Sequence, residues 1–84
     1  MSYLWIQNPE ISSAPESVID HFIYEDGLEV FECALFLLEN QNFAVVRFST
    51  ENKEDEKVGV TEVEEFDFKE EAAKLFFELT KKEI

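Results

Sequence analysis

The side chains that carry most enzyme chemistry are scarce in this sequence, which holds one histidine, His21, and one cysteine, Cys33. A general base needs a nucleophile or acid within hydrogen-bond reach and a pocket that excludes water. The neighbours of His21 supply no such set, so it reads as a partly exposed or hydrogen-bonded structural residue. Cys33 lies among Phe31, Leu35 and Leu37, where apolar burial raises a thiol pKa and blunts its nucleophilicity. A lone cysteine excludes an internal disulfide, and with one histidine it cannot assemble the usual zinc site. Gly27 and Gly59 stand too far apart for a phosphate loop, and there is no Gly-x-Ser-x-Gly elbow. The expectation is a protein without catalysis or cofactor.

Carboxylates are the abundant functional group. Glu62, Glu64, Glu65, Asp67, Glu70 and Glu71 are dense enough to suggest a hard cation. No Asp-x-Asp-x-Asp-Gly loop accompanies them, and a strand end running into a helix start commonly carries solvated acids. No specific metal site is expected.

Twenty Asp and Glu against seven Lys and Arg give a net charge of −13. Residues 1–46 contain eight acids and no Lys or Arg, so the first half is the more one-sided. Such a field repels phosphate backbones and anionic lipid and favours basic partners. Averaged over the ~5,200 Å² expected for this mass, the charge is one per roughly 400 Å². A duplex carries about one per 110 Å², so imitation of nucleic acid requires the acids to gather on one face. Glu29, Glu62, Glu64 and the run Glu51, Glu54, Asp55, Glu56 are the candidates, around an aromatic anchor at Trp5. Phe36, Phe48, Phe77, Tyr3, Trp5 and Tyr24 exceed what a core of this size readily hides.

The expected function is therefore a non-catalytic acidic module, an inhibitor docking on the basic, nucleic-acid-binding surface of a partner protein. Small phage or mobile-element antagonists of restriction, repair or CRISPR enzymes are similar in size and charge. The alternatives are an immunity or antitoxin-like neutraliser of a basic toxin, and a structural subunit that homodimerises through an edge strand or Trp5. No export, lipidation or membrane-spanning signature is visible, so a cytoplasmic address is expected.

The elements that would position these residues fit one domain over 1–84. With 45% hydrophobic residues, nine of them Phe, the chain has material for a core despite its charge. Phe43–Phe48 and Val58–Val63 are β-branched and aromatic, bracketing an exposed polar loop at Glu51–Lys57. Leu28–Leu38 is a third strand, turned into Phe43 by Glu39-Asn40-Gln41-Asn42. Its alternation sets Phe31, Cys33, Leu35 and Leu37 on one face and Val30, Ala34, Phe36 and Leu38 on the other, the mark of a central strand covered on both sides. Ser17–Tyr24 is ambiguous: Ser13-Ala14-Pro15-Glu16 resembles a capping box, but Val18-Ile19 and Phe22-Ile23-Tyr24 favour a strand turned at Asp26-Gly27. Asp67 is the expected N-cap of a helix from Phe68 whose stripe is Phe68, Ala72, Leu75, Phe76 and Leu79, with Lys81 and Lys82 in its last turn. The fold class is α+β: an antiparallel three- to four-stranded meander over 17–66, a C-terminal helix over 67–84 on one face, and residues 1–16 as an arm or edge strand.

The layout from Phe31 to Glu83, in which Phe43–Phe48 leads through a loop to Glu64-Glu65-Phe66-Asp67 and the helix, is similar in outline to WGR domains. The Trp-Gly-Arg triplet is absent, with Arg47-Phe48-Ser49 in the nearest place, and the acidic charge opposes the nucleic-acid contacts that the resemblance implies. No residue role is carried over from it.

Overall fold

A computed structural model describes residues 11–27, 29–53 and 56–80, with backbone alone at 52 and 53. Four strands, β1 (Pro15–Asp26), β2 (Glu29–Leu38), β3 (Phe43–Lys53) and β4 (Glu56–Phe66), precede one helix, α1 (Lys69–Thr80). They form one antiparallel sheet in the order β1-β2-β3-β4. The α+β meander with a C-terminal helix packed on one face is thus the observed architecture.

The two-sided reading of β2 holds because each face has its own cluster. Cys33, Leu35 and Val45 pack beneath Ala72 and Phe76 of α1, flanked by Phe22, Phe31, Phe43 and Phe66. On the second face Ala34, Phe36, Leu38, Ala44 and Val46 are buried with Ile11, Val18, Phe48 and Val63 against them. Alternation on a pleated strand sends successive side chains to opposite faces, so a run such as Cys33-Ala34-Leu35-Phe36 feeds both clusters. Phe36 is therefore core, whereas Tyr24 and Phe77 are exposed and Phe48 half-buried. Tyr3 and Trp5 lie outside the described residues.

The strand reading of Ser17–Tyr24 is correct, and β1 is longer than expected, from Pro15 to Asp26. The apparent capping box is used otherwise: Ser13 Oγ accepts from Asn40 N at 3.1 Å, and Ala14 O accepts from Glu39 N at 2.9 Å. Ser12 N donates to Glu65 Oε2 at 2.8 Å and Ser12 Oγ to Glu65 Oε1 at 2.5 Å. The segment 11–14 is thus a strap from β4 to the β2–β3 turn rather than an edge strand. Residues 1–10 lie outside the described residues.

Two turns differ in detail. In Glu39–Asn42 the left-handed residue is Gln41, at φ 74°, not an asparagine. Asn40 contributes through its side chain instead, Oδ1 accepting from Asn42 N at 3.0 Å. The seven-residue polar loop is a correction: β3 and β4 stay paired through Glu51↔Val58, Asn52↔Lys57 and Lys53↔Glu56. Backbone ladder bonds are indifferent to side-chain polarity once the preceding pairs are in register, so pairing continues through the polar stretch as far as Lys53 and Glu56.

The helix start also needs correction. Ala72 N donates to Phe68 O at 3.3 Å, which makes Phe68 the N-cap and leaves Asp67 one residue outside. Phe68 is consequently 64% exposed and not part of the packed stripe. Ala72 and Phe76 are buried, with Leu75 and Leu79 half-buried beside them. Lys81 and Lys82 lie outside the described residues.

Candidate functional site

Strand pairing decides which acids share a face. Val45 lies under the helix, and it pairs with Glu64, while its face-mates Arg47, Glu51 and Lys53 pair with Glu62, Val58 and Glu56. On β1, Asp20 pairs with Leu35 and Asp26 with Glu29, both β2 residues of the same face. The helix-bearing face of the sheet therefore carries Asp20, Asp26, Glu29, Glu51, Glu56, Glu62 and Glu64, all exposed. Of the residues expected to bind a partner, Glu29, Glu51, Glu56, Glu62 and Glu64 come together here. Trp5, Glu54 and Asp55 lie outside the described residues. Asp20 and Asp26 were missed because the bulge between Val18 and Asp20 shifts the alternation of β1 by one residue.

Cations temper this face. Arg47, the chain's one arginine, donates from Nε to Glu62 Oε1 at 2.7 Å, and its Nη2 bonds the same oxygen. Lys57 Nζ stands 3.9 Å from Glu29 Oε2. Both pairs are solvent-exposed, and such pairs contribute little to stability. Their effect is on charge: Glu62 is already engaged within the molecule.

Because α1 spans twelve residues, about 18 Å at 1.5 Å per residue, it roofs one end of the sheet and leaves the other open. Along its border with β4 runs a groove of about 430 Å³, lined by Val45, Arg47, Glu62, Glu64, Leu75 and Leu79. It continues past Glu64 and Leu75 to Phe66, Glu71 and Glu78.

On the second face lies a group that sequence reasoning missed. Glu32 is fully buried, and its Oε2 is 2.5 Å from His21 Nε2. The signal was available: Glu32 interrupts the apolar series Val30, Ala34, Phe36, Leu38, and a carboxylate in that series needs a hydrogen-bonding partner. His21 supplies one by pairing with Ala34 on the adjacent strand. Cys33 has no exposed surface. Burial pushes its thiol up to about 12, Arg47 pulling it down and Asp20 pushing it further up.

Among the described residues no three His, Cys, Asp or Glu side chains gather as metal ligands would. No described helix is long and apolar enough to cross a membrane. No family model, curated protein or solved structure matches this chain.

Proposed function

We propose that this chain is a non-catalytic acidic protein-binding module that docks on a basic, nucleic-acid-binding surface of a partner protein. The observation that carries the reading is the gathering of seven exposed acids on the helix-bearing face. Over the whole accessible surface of 5729 Å² the net charge of −13 is diffuse, about one charge per 440 Å². Four strands ~4.8 Å apart and about eleven residues long, at ~3.3 Å each, give that face an area of roughly 700 Å². Seven acids less the charges of Arg47, of Lys57 beside Glu29 and of Lys53, which the register sets on the same face, leave four, about one per 175 Å². A duplex has about one per 110 Å², so locally the sheet comes within about two-fold of the density at which an acidic protein competes with DNA for a basic groove. An antagonist of a nuclease or other nucleic-acid enzyme, of the kind phages and mobile elements use, is the specific form of this proposal.

The test is recovery of the partner with tagged protein, followed by association kinetics at several salt concentrations. The partner should be basic, duplex DNA should compete, and Glu29→Lys with Glu51→Lys should slow association by about ten-fold at low salt and flatten its salt dependence. An acidic partner, or association indifferent to salt and to both reversals, overturns the reading and leaves the charge a matter of solubility.

A further inference from the structure

We infer that the groove between α1 and β4 is the seat of a short extended segment of the partner in which Lys or Arg alternates with apolar residues. The inference rests on the acidic-face reading and deepens it by naming where on that face a partner is gripped and by what chemistry.

The groove has two kinds of lining. Its floor is apolar, made by Val45, Phe66, Leu75 and Leu79. These side chains belong to or border the helix-side cluster, yet Leu75, Leu79 and Phe66 stay half-buried. The rims are carboxylates, Glu62 and Glu64 on β4 and Glu71 and Glu78 on α1. The cations present are Arg47, tied to Glu62, and Lys74 on the helix rim. An apolar trough between two acidic rims suits a strand-like segment whose apolar side chains face the floor and whose cationic ones reach the rims. Lys and Arg suit such rims doubly, since their aliphatic stems cover apolar surface while the charged heads reach the carboxylates.

Size and charge select the occupant further. About six extended residues span ~20 Å, matching the ~18 Å of the helix that forms one wall. A second copy of this chain would bring another −13 against the rims, an unfavourable juxtaposition. A cationic protein segment meets no such repulsion.

Isotope-labelled full-length protein titrated with three synthetic hexapeptides tests this by amide chemical shift. One peptide alternates Lys and Leu, one Lys and Ser, one Glu and Leu. The Lys/Leu peptide should move the amides of Glu62, Glu64, Leu75 and Leu79 and bind about ten-fold or more tighter than Lys/Ser, because the apolar anchor adds to the charge. The Glu/Leu peptide should not bind. Glu64→Lys with Glu71→Lys, both exposed positions, should weaken both cationic peptides and remove the discrimination against Glu/Leu.

Equal binding of the two cationic peptides, or shifts confined to Glu29, Glu51 and Glu56, would sink the groove while leaving the acidic face standing. Binding of Glu/Leu at the groove would remove the need for a cation and overturn the inference. Concentration-dependent shifts at these amides without peptide would identify a second copy as occupant and overturn it too. No response to either cationic peptide at low salt would sink both the groove and the face.

Discussion

Glu32, with no exposed surface, holds its Oε2 2.5 Å from Nε2 of His21, itself 21% exposed, so that the chain's one histidine and the one buried acid among the described residues share a hydrogen bond across β1 and β2. A carboxylate in such a place carries a desolvation penalty that an aliphatic side chain would not, and its neighbours in the fold must offset it.

Breaking this pair from one side should cost more than removing both halves. His21→Ala should lower unfolding free energy by about 2 to 3 kcal/mol, somewhat under the ~3–5 of a fully dry pair because His21 touches solvent. His21→Leu with Glu32→Leu should recover most of that loss. Urea denaturation of His21→Leu, Glu32→Leu and the double variant makes the comparison. Strict additivity of the single costs would show that the two side chains are not energetically coupled.

Cys33 should make the fold sensitive to alkali. Its thiol is raised from 9.0 to about 12 by burial, so the folded state holds the proton more tightly than the unfolded chain. The resulting stability is whole below about pH 9 and is lost as pH rises toward the folded value, by about 2 to 3 kcal/mol at pH 11. In Cys33→Ala the fall between pH 8 and pH 11 should be shallower by that amount. Equal slopes in the two proteins would contradict the assignment. At neutral pH the native thiol should react with a thiol reagent only as fast as the fold opens.

Two phenylalanines eight residues apart should respond in opposite ways. Phe76 is 7% exposed beneath the sheet, and Phe76→Ala should cost about 3 to 5 kcal/mol. Phe68, at 64% exposed, should tolerate alanine within about 0.5 kcal/mol. Melting temperatures of the two variants decide it, and a comparable loss in both would mean that the helix packs through a different stripe.

Gly59 is a close-approach site rather than a flexible one. A Cβ there would meet Cε2 and Cζ of the Phe48 ring at 2.5 Å, the ring reaching it diagonally from β3, where Thr50 is the residue paired with Gly59. Gly59→Ala should therefore destabilise by about 1 to 3 kcal/mol although alanine suits a strand better than glycine. A companion Phe48→Leu should relieve part of the clash, and a neutral or stabilising Gly59→Ala would show that the ring moves freely aside.

The division between what could be read from the residues and what could not follows the range of each interaction. Local patterns carried the elements: alternation from Val30 to Leu38 named a two-sided central strand, the β-branched runs named β3 and β4, and the spacing of Ala72, Leu75, Phe76 and Leu79 named the packed face of α1. Those signals come from periods of two and 3.6 residues, which a chain displays without its partners. In two places where a local signal failed, a distant partner had won: Ser13 is spent on Asn40, and the polar stretch at Glu51–Lys57 is drawn largely into the β3–β4 ladder. At the helix start the difference is local, Phe68 taking the cap position expected of Asp67 through the helix's own first hydrogen bond. The tertiary structure alone decided that Glu29, Glu51, Glu56, Glu62 and Glu64 share a face, because that depends on the register of two strand pairs, β2–β3 and β3–β4, and a slip of one residue would turn a strand's acids to the other side. It alone joined His21 to Glu32 and Arg47 to Glu62, residues eleven and fifteen apart in sequence that become neighbours only when the strands pair.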